Sequence, residues 1–411
     1  MSVRGIFLVA LCLGGTLGAP STNVQEESKI DFLMPDVQPK VADTYLCISM
    51  KANTTPTYIV GFAPHANMEI AHHILLYGCQ EPGSEKQPWN CGEMAHKSSE
   101  YNTGPVCRSG AQILYAWAMD APSLKLPEGV GFTVGGSTDV KYLVLQVHYK
   151  SVDTFLPPNN KTDSSGITMT TTNTETPRRA GVYLLGTSGV IPSHSTVYME
   201  TACNFDEDLV LHPFAFRTHT HGLGKVVSGY VIHDGQWREI GRQDPHKPQM
   251  FYNATTPGLE IKKGDILAAR CTMQNDKNVD VSIGSTQNDE MCNFYIMYYT
   301  DGDRISDQTY CFTPGPTTWY WDQFERADKM NLAAVPRTAS IIPGTDKVIK
   351  QKIPRSIYDL YGDETPGARD DLLLADDSWE ALSDNADEIY DNLSDNDAEL
   401  LAYLKNKLNN Y

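Results

Sequence analysis

Short runs in which apolar and polar side chains alternate recur between residues 45 and 299 of this 411-residue chain. Alternation with a period of two is typical of β-strands that are buried on one face, and the Gly, Pro and Asn clusters between the runs indicate turns. Examples are residues 58–62, 71–77, 142–149, 181–185, 226–232 and 294–299. These runs are not accompanied by long stretches with helical spacing. The sequence therefore predicts an all-β fold.

A polar, Pro-bearing passage at residues 151–179 divides the strand-like runs into two groups. We place a domain boundary near Thr176 and Pro177 and predict two tandem antiparallel β-sandwiches, jelly-roll-like in form, at residues 30–176 and 177–313. Residues 314–411 are predicted to be a Pro-rich connector and an acidic tail. Residues 359–399 contain fifteen acidic residues and one basic residue, Arg369. This segment therefore contributes -14 to the net charge of -18. Such a tail is expected to be disordered or weakly helical.

The first 19 residues are predicted to be a signal peptide. Arg4 precedes a short apolar run at residues 6–13, and small residues lead to Ala19. No other run approaches the roughly 18 apolar residues of a membrane helix, so no membrane span is expected. Outside the acidic tail the chain is nearly neutral and has no basic stripe, which argues against nucleic-acid binding. These features predict a protein that is secreted or held in the lumen of a secretory granule.

The nine cysteines become eight once Cys12 is removed with the signal peptide. An even number in an oxidising compartment predicts disulfide bonds, and the absence of a Cys-x-x-Cys pair argues against thiolate metal sites. The eight are Cys47, Cys79, Cys91, Cys107, Cys203, Cys271, Cys292 and Cys311. Candidate glycosylation sites of the Asn-x-Ser/Thr type stand at Asn53, Asn160, Asn253 and Asn392.

A His-x-His pair, His219 and His221, lies in a strand-like stretch of the second group. Two histidines at positions i and i+2 of a strand direct both imidazoles from one face. Met291, further along the chain, offers a thioether, and two imidazoles with a thioether suit a copper centre that must accept the soft Cu(I) state. A pair of solvated histidines is the alternative for so short a motif. Arg217 shares the face of His219, where its guanidinium could bind a carboxylate.

A second group of candidate ligands, His72, His73 and His148, falls in the first predicted domain. Adjacent histidines on a regular strand face opposite ways, so both could bind one ion only at a bulge or through different ring nitrogens. His148 lies on the same face of its run as Gln146. A site with three imidazoles is therefore available, although satisfied or solvated histidines are the alternative.

Four ordered stretches carry all these candidates: residues 71–79, 145–149, 217–227 and 289–293. Together they resemble the peptidylglycine alpha-hydroxylating monooxygenases, which are copper type II ascorbate-dependent monooxygenases. The resemblance runs from about Ile30 to Thr313. It implies two β-sandwich domains that each hold one copper ion, two in all, and that face one another across a solvent-filled cleft.

The resemblance also implies a role for each candidate. An electron-transfer copper would be held by His72, His73 and His148, and an oxygen-activating copper by His219, His221 and Met291. The carboxylate end of the substrate would be held by Arg217, Asn293 and Tyr295. The implied disulfides join Cys47 to Cys91, Cys79 to Cys107, Cys203 to Cys311 and Cys271 to Cys292.

The activity implied by the resemblance is hydroxylation of the alpha carbon of the C-terminal glycine in glycine-extended peptides, with ascorbate as electron donor and dioxygen as co-substrate. This is the first step of peptide C-terminal amidation, as in neuropeptide processing. Some relatives are fused to a lyase, but the residues after Cys311 are too few and too acidic for one. A monomer that depends on a separate lyase is therefore expected.

Two rival functions remain. A hydroxylase similar to dopamine beta-monooxygenase would share the copper motifs, but its amine substrate gains nothing from the cation of Arg217. A secreted copper-binding or copper-storage protein would not need two unlike ligand sets, one of them beside an arginine that could bind a carboxylate. Oxygen uptake that depends on ascorbate and peptide would separate storage from turnover.

Overall fold

The computed structural model describes residues 27–92, 100–284, 286 and 288–352. The predicted signal peptide, the acidic tail and Asn392 lie outside the described residues. Within them the chain is almost entirely β-strand, which confirms the predicted all-β class. None of the helices described is long and apolar enough to cross a membrane.

The N-terminal half contributes strands β1 to β13. They are β1 (Glu27–Leu33), β2 (Thr44–Lys51), β3 (Thr57–His65), β4 (His73–Cys79), β5 (Glu81–Pro82), β6 (Trp89–Asn90), β7 (Asn102–Thr103), β8 (Cys107–Ser109), β9 (Gln112–Ala118), β10 (Leu124–Lys125), β11 (Val130–Val134), β12 (Tyr142–Tyr149) and β13 (Gly166–Thr172).

These strands form a sandwich. One layer has the order β1, β13, β3 and β11, and the other has the order β7, β6, β2, β12, β4 and β9. Apolar side chains from the two layers meet in one core, where the rings of Phe62 on β3 and Tyr115 on β9 stack with centroids 4.5 Å apart. Burying such residues is the main favourable term in folding this half.

The C-terminal half contributes strands β14 to β24. They are β14 (Arg178–Thr187), β15 (Val190–Ile191), β16 (Ser195–Asn204), β17 (His212–His219), β18 (Gly224–His233), β19 (Gln236–Gln243), β20 (Tyr252–Asn253), β21 (Ile266–Asn275), β22 (Val281–Ser282), β23 (Asn293–Asp301) and β24 (Tyr310–Thr313).

In this second sandwich β14, β23, β17 and β20 lie side by side, and β24 pairs with the end of β14. The facing layer has the order β16, β21, β18 and β19. Leu185 and Phe294 of the first layer pack with Val227 and Leu267 of the second in a buried core. The alternate residues of β14, β17 and β23 are thereby left to face the N-terminal half.

One sheet runs through both halves. The start of β14 pairs in parallel with β11, through Val130 with Arg178 and Gly131 with Arg179. The ten strands thus joined include layers of both sandwiches. The boundary near Thr176 and Pro177 falls between β13 and β14, and it stays a prediction.

Residues 314–352, predicted as a Pro-rich connector, pack against the C-terminal half. They contain three 3-10 turns, η1 (Trp321–Gln323), η2 (Leu332–Ala334) and η3 (Arg337–Ser340), and the one-turn helix α1 (Ala327–Met330). Trp321 and Met330 are buried beside Ile232 and Ile266, and the indole N–H of Trp321 donates to the carbonyl oxygen of Thr201 at 2.9 Å. This stretch therefore covers the outer face of the β16–β19 layer.

The four implied disulfides are confirmed, and they account for all eight cysteines. Their pairs are Cys47 with Cys91, Cys79 with Cys107, Cys203 with Cys311 and Cys271 with Cys292. The last pair anchors the residue next to Met291. The described candidate glycosylation sites, Asn53, Asn160 and Asn253, are exposed, so glycans could be accommodated there.

Candidate metal centre

Three imidazoles converge at one end of the layer that contains β4 and β12. The Nδ1 atom of His72 lies 3.2 Å from Nδ1 of His148 and 3.3 Å from Nδ1 of His73. All the potential ligand atoms lie within 4.8 Å of one another. The structure thus brings together the three histidines that the sequence placed in one group.

Strand register and a bend explain how adjacent histidines reach one point. His73 begins β4 and is the cross-strand partner of His148 on β12. His72 lies at a bend just before β4, where its N–H donates to the carbonyl oxygen of His148 at 2.8 Å. The bend turns the His72 ring toward the other two. The three Nδ1 atoms therefore converge without a bulge at this position and without the use of Nε2 by any of the three rings.

The His148 ring is held by two residues that the sequence analysis did not single out. Its Nε2 lies 3.1 Å from a carboxylate oxygen of Asp43, and its face stacks on Tyr45 with centroids 4.0 Å apart. An Nε2–H donated to Asp43 leaves the lone pair of Nδ1 directed at the other imidazoles. No sequence signal links Asp43 to His148, because 105 positions separate them.

The second pair of histidines also has fixed tautomers. His219 ends β17, and His221 follows it, with ring centroids 5.4 Å apart. The Nδ1 atom of His219 lies 2.6 Å from Oε1 of Gln249, and that of His221 lies 2.9 Å from the carbonyl oxygen of Asp289. Each Nδ1 therefore donates its proton to an oxygen, so each Nε2 keeps the lone pair that a metal needs.

A buried carboxylate ties Met291 to this pair. One oxygen of Glu290 accepts the N–H of His221 and, at 3.0 Å, the N–H of Met291. Its other oxygen accepts the N–H of Leu223 at 2.6 Å. The amide of Asn293 donates to the thioether sulfur of Met291 at 3.8 Å. Glu290 was missed by the sequence analysis, although it directly precedes Met291.

Arg217 is a buried cation without a complete set of partners. Its side chain is 2% exposed, and its Nη1 has no hydrogen-bond partner among the described residues. Nε donates to the carbonyl oxygen of Gln249 at 3.0 Å, and the guanidinium lies 5.0 Å from the centre of the Tyr295 ring. Burial lowers the pKa of Arg217, and the nearby phenols of Tyr295 and Tyr115 partly offset this. A buried cation is costly unless it is paired, so the site is complementary to an anion.

Both groups of histidines open on the same cavity. The rings of His73 and His219 are 6.2 Å apart in an edge-on arrangement. Beside them lies a cavity of about 420 Å³ that is lined by members of both groups, including His72, His148 and His221. The two groups therefore lie next to one another beside this cavity, whereas the resemblance implied that they face each other across a cleft.

Models of the N-terminal and C-terminal domains of copper type II ascorbate-dependent monooxygenases match residues 30–155 and 178–324. The chain belongs to this family. The first segment covers the N-terminal sandwich except β13 and the start of β1, and the second covers the whole C-terminal sandwich. Each contains one of the two groups of histidines. Dependence on copper and ascorbate follows from the family.

Within this monooxygenase family, the similarity to named proteins is uneven. The chain is 42% identical over 308 residues to the peptidyl-glycine alpha-amidating monooxygenase A of Xenopus laevis, covering 74% of this chain and 31% of that protein. It is 42% identical over 294 residues to the peptidylglycine alpha-amidating monooxygenase of Rattus norvegicus, covering 71% and 28%. Identity to the dopamine beta-hydroxylase of Rattus norvegicus is 28% over 297 residues, covering 66% and 46%. The chain thus spans about a third of the length of the amidating relatives.

The first group of histidines fits the copper of this monooxygenase family. Two nitrogens that bind one ion at about 2.0 Å in tetrahedral geometry stand roughly 3.3 Å apart. The two distances from Nδ1 of His72, 3.2 and 3.3 Å, agree with this value, and all the ligand atoms lie within 4.8 Å of one another. The pKa of His72 is lowered to about 4 and that of His148 to about 3. Burial is the larger cause, and repulsion from nearby positive groups is the smaller one. Burial also holds the pKa of His73 and of His219 well below the usual value. These imidazoles are neutral at pH 7, which is the form that binds metal.

Proposed function

We propose that this protein is a copper- and ascorbate-dependent monooxygenase that hydroxylates the alpha carbon of the C-terminal glycine of glycine-extended peptides. The observation that carries the proposal is the buried Arg217, whose Nη1 lacks a partner within the described structure and which lies two residues before His219. The names of the relatives at 42% identity support the same reaction.

We assign one copper ion to His72, His73 and His148 for electron transfer, and a second to His219, His221 and Met291 for oxygen activation. Bound copper would pass electrons singly, so that two electrons from ascorbate and two protons allow one atom of dioxygen to enter the C–H bond while the other leaves as water. The different donors support different roles. The first set has three imidazoles, of which His73 and His148 are buried and His72 is half-buried, whereas the thioether of the second set favours the reduced ion.

Substrate binding is assigned to Arg217, Tyr295 and Asn293. The free N–H groups of Arg217 Nη1 would donate to the carboxylate of the terminal glycine, and burial strengthens this pairing by excluding water. Tyr295 is the cross-strand partner of Arg217, and Asn293 is the partner of His219. A carboxylate held by Arg217 therefore places the adjacent alpha carbon beside the His219 and Met291 end of the site.

The disulfides and exposed sequons support a secretory compartment for this reaction. Its product, a peptide ending in alpha-hydroxyglycine, would need a separate lyase to complete amidation, and a monomer remains the expected state. Amine hydroxylation, the activity in the name of the relatives at 28% identity, is disfavoured by Arg217, since a buried cation repels an ammonium substrate.

The test is mass spectrometry of a glycine-extended peptide incubated with the protein, copper and ascorbate. We expect the peptide to gain one oxygen atom, and we expect no gain without ascorbate or in the presence of a copper chelator. A phenylethylamine substrate provides the comparison. Hydroxylation of the amine but not of the peptide would refute the proposal, and copper binding without either product would favour storage.

A further inference from the structure

The cavity beside the two groups of histidines carries a positively charged side chain from each half of the molecule. Lys150 directly follows β12, two residues after His148, and Lys277 lies shortly after the end of β21. Both lysines line the cavity and both are exposed. Neither ammonium group makes a hydrogen bond or a salt bridge to another described residue. Two cations without partners on one cavity are complementary to an anionic ligand.

The backbone of each lysine is held in place. The carbonyl oxygen of Lys150 accepts the N–H of Asp43, the residue whose carboxylate holds the His148 ring. The N–H of Lys277 donates to Oδ1 of Asn275 at 3.0 Å. Asn275 is fully buried, and its amide donates to three carbonyl oxygens of the surrounding loops. Both lysines are therefore presented to the cavity from anchored positions.

Lys150 lies on the side of the first group of histidines. Burial is the main cause of the lowered pKa of His72, and the positive charge of Lys150 is the next. The same charge is a smaller cause, after burial, of the lowered pKa of His148. An anion bound at Lys150 would therefore lie close to the histidines that are assigned to the electron-transfer copper.

The carboxylates that line the same cavity are already hydrogen-bonded. Glu290 accepts three backbone N–H groups. Oδ2 of Asp289 accepts the N–H and the hydroxyl group of Thr286, at 3.0 and 2.7 Å. Neither proposed set of copper ligands contains an anionic donor, so an ion bound there would keep its full positive charge. The loaded cavity would therefore attract anions, and the lysines would offer the accessible donors.

We infer that Lys150 and Lys277 form the docking site for ascorbate, the electron donor on which this family depends. Ascorbate is a monoanion at neutral pH and carries several oxygen acceptors, and each lysine ammonium offers three N–H donors. The cavity of about 420 Å³ is in the size range of small-molecule sites. The inference goes beyond the proposed function, since it concerns the reductant and not the peptide, and it rests on copper binding by the first group.

The step at this site is the transfer of one electron. An ascorbate monoanion would reduce one Cu(II) ion to Cu(I), release one proton to solvent and leave as the radical anion. A second ascorbate would supply the second electron that one turnover needs. The lysines bind the anion and are not changed by the reaction. Their removal should therefore slow reduction without altering the copper ligands.

The test measures reduction of the copper-loaded protein without oxygen or peptide, by loss of the electron paramagnetic resonance signal of Cu(II). We expect Lys150→Gln and Lys277→Gln each to lower the second-order rate constant for ascorbate about 3- to 5-fold at low ionic strength, and the double variant about 10-fold. Added salt should slow the wild type toward the double variant. Hydroquinone, an uncharged donor, should reduce all of them at the wild-type rate. Lys51→Gln is the matched control, since Lys51 is exposed at the opposite end of the β2–β12 pair, and it should change neither rate.

Unchanged rates with ascorbate would overturn the docking site. Equal slowing with ascorbate and hydroquinone would also overturn it, because the lysines would then act on the copper ions or on the fold. Copper content and circular dichroism of each variant would separate these two causes. The assay contains no peptide, so a failure of peptide hydroxylation would refute the proposed function and leave the ascorbate site standing.

Discussion

Replacing Arg217 by glutamine is the perturbation that most directly tests the assignment of a carboxylate substrate. The guanidinium is 2% exposed and has one nitrogen without a partner among the described residues, so a bound carboxylate would be sheltered from water. Losing a charge-assisted pair in such a place costs about 2 to 4 kcal/mol of transition-state binding, or roughly 30- to 900-fold in kcat/KM. Copper content should hardly change.

The assay uses two substrates, a peptide with a free terminal carboxylate and the same peptide capped as an amide. Arg217→Gln should cost far less with the capped peptide, within about 3-fold, because that substrate lacks the charge that Arg217 binds. Arg178→Gln is the matched control, since Arg178 lies on the same sheet but is 41% exposed and paired with Asp301 at 3.2 Å.

Equal losses for the two substrates would refute the reasoning. Arg217 also donates through Nη2 to Oε1 of Gln249 at 3.3 Å, and that oxygen lies 2.6 Å from Nδ1 of His219. A loss independent of the substrate would therefore place the effect in the orientation of His219. A measurement of copper affinity in the same variant would show it directly.

Three further predictions concern ligands and cysteines. Met291→Ile should abolish hydroxylation without unfolding the protein, because it removes a soft ligand but conserves apolar volume; near-normal turnover by the folded variant would remove Met291 from the site. Asp43→Ala should weaken copper binding to the first group about 10- to 100-fold, because His148 loses the acceptor that fixes its tautomer. Competition with a chelator would measure this, and an unchanged affinity would contradict it. Alkylation of the denatured, non-reduced mature protein should label no cysteine; stoichiometric labelling of two or more would contradict the four pairs.

The strands could be predicted from the sequence because their alternation is a local property. The continuous sheet could not, because β11 and β14 are joined through only two residue pairs, at Val130 and Gly131. The packing of residues 314–352 was also missed. It depends on isolated apolar side chains such as Trp321 and Met330, which show no periodicity.

The histidines of the site were predictable because metal ligands have few substitutes, and their short spacings are visible in the sequence. The residues that orient them were not. Asp43, Gln249 and Glu290 act through contacts to residues 105, 30 and 69 positions away. A contact between residues so far apart in the chain leaves no local pattern in the sequence. Only the three-dimensional structure shows which histidine each carboxylate or amide contacts.

The two groups of histidines present opposite ring nitrogens to their proposed copper ions, and this difference has a physical consequence. The Nδ1 atom lies closer to the backbone than Nε2, so a metal bound through Nδ1 of His72, His73 and His148 would be held near the strands that carry them. In the second group each Nδ1 is hydrogen-bonded, to Gln249 or to the carbonyl oxygen of Asp289, so a metal bound through Nε2 would lie farther from the backbone. The first arrangement would hold an ion close to these strands, with little rearrangement on electron transfer. The second arrangement would place an ion farther from the strands, beside the cavity that His219 and His221 line. The tautomers alone therefore favour the division of roles proposed for the two copper ions.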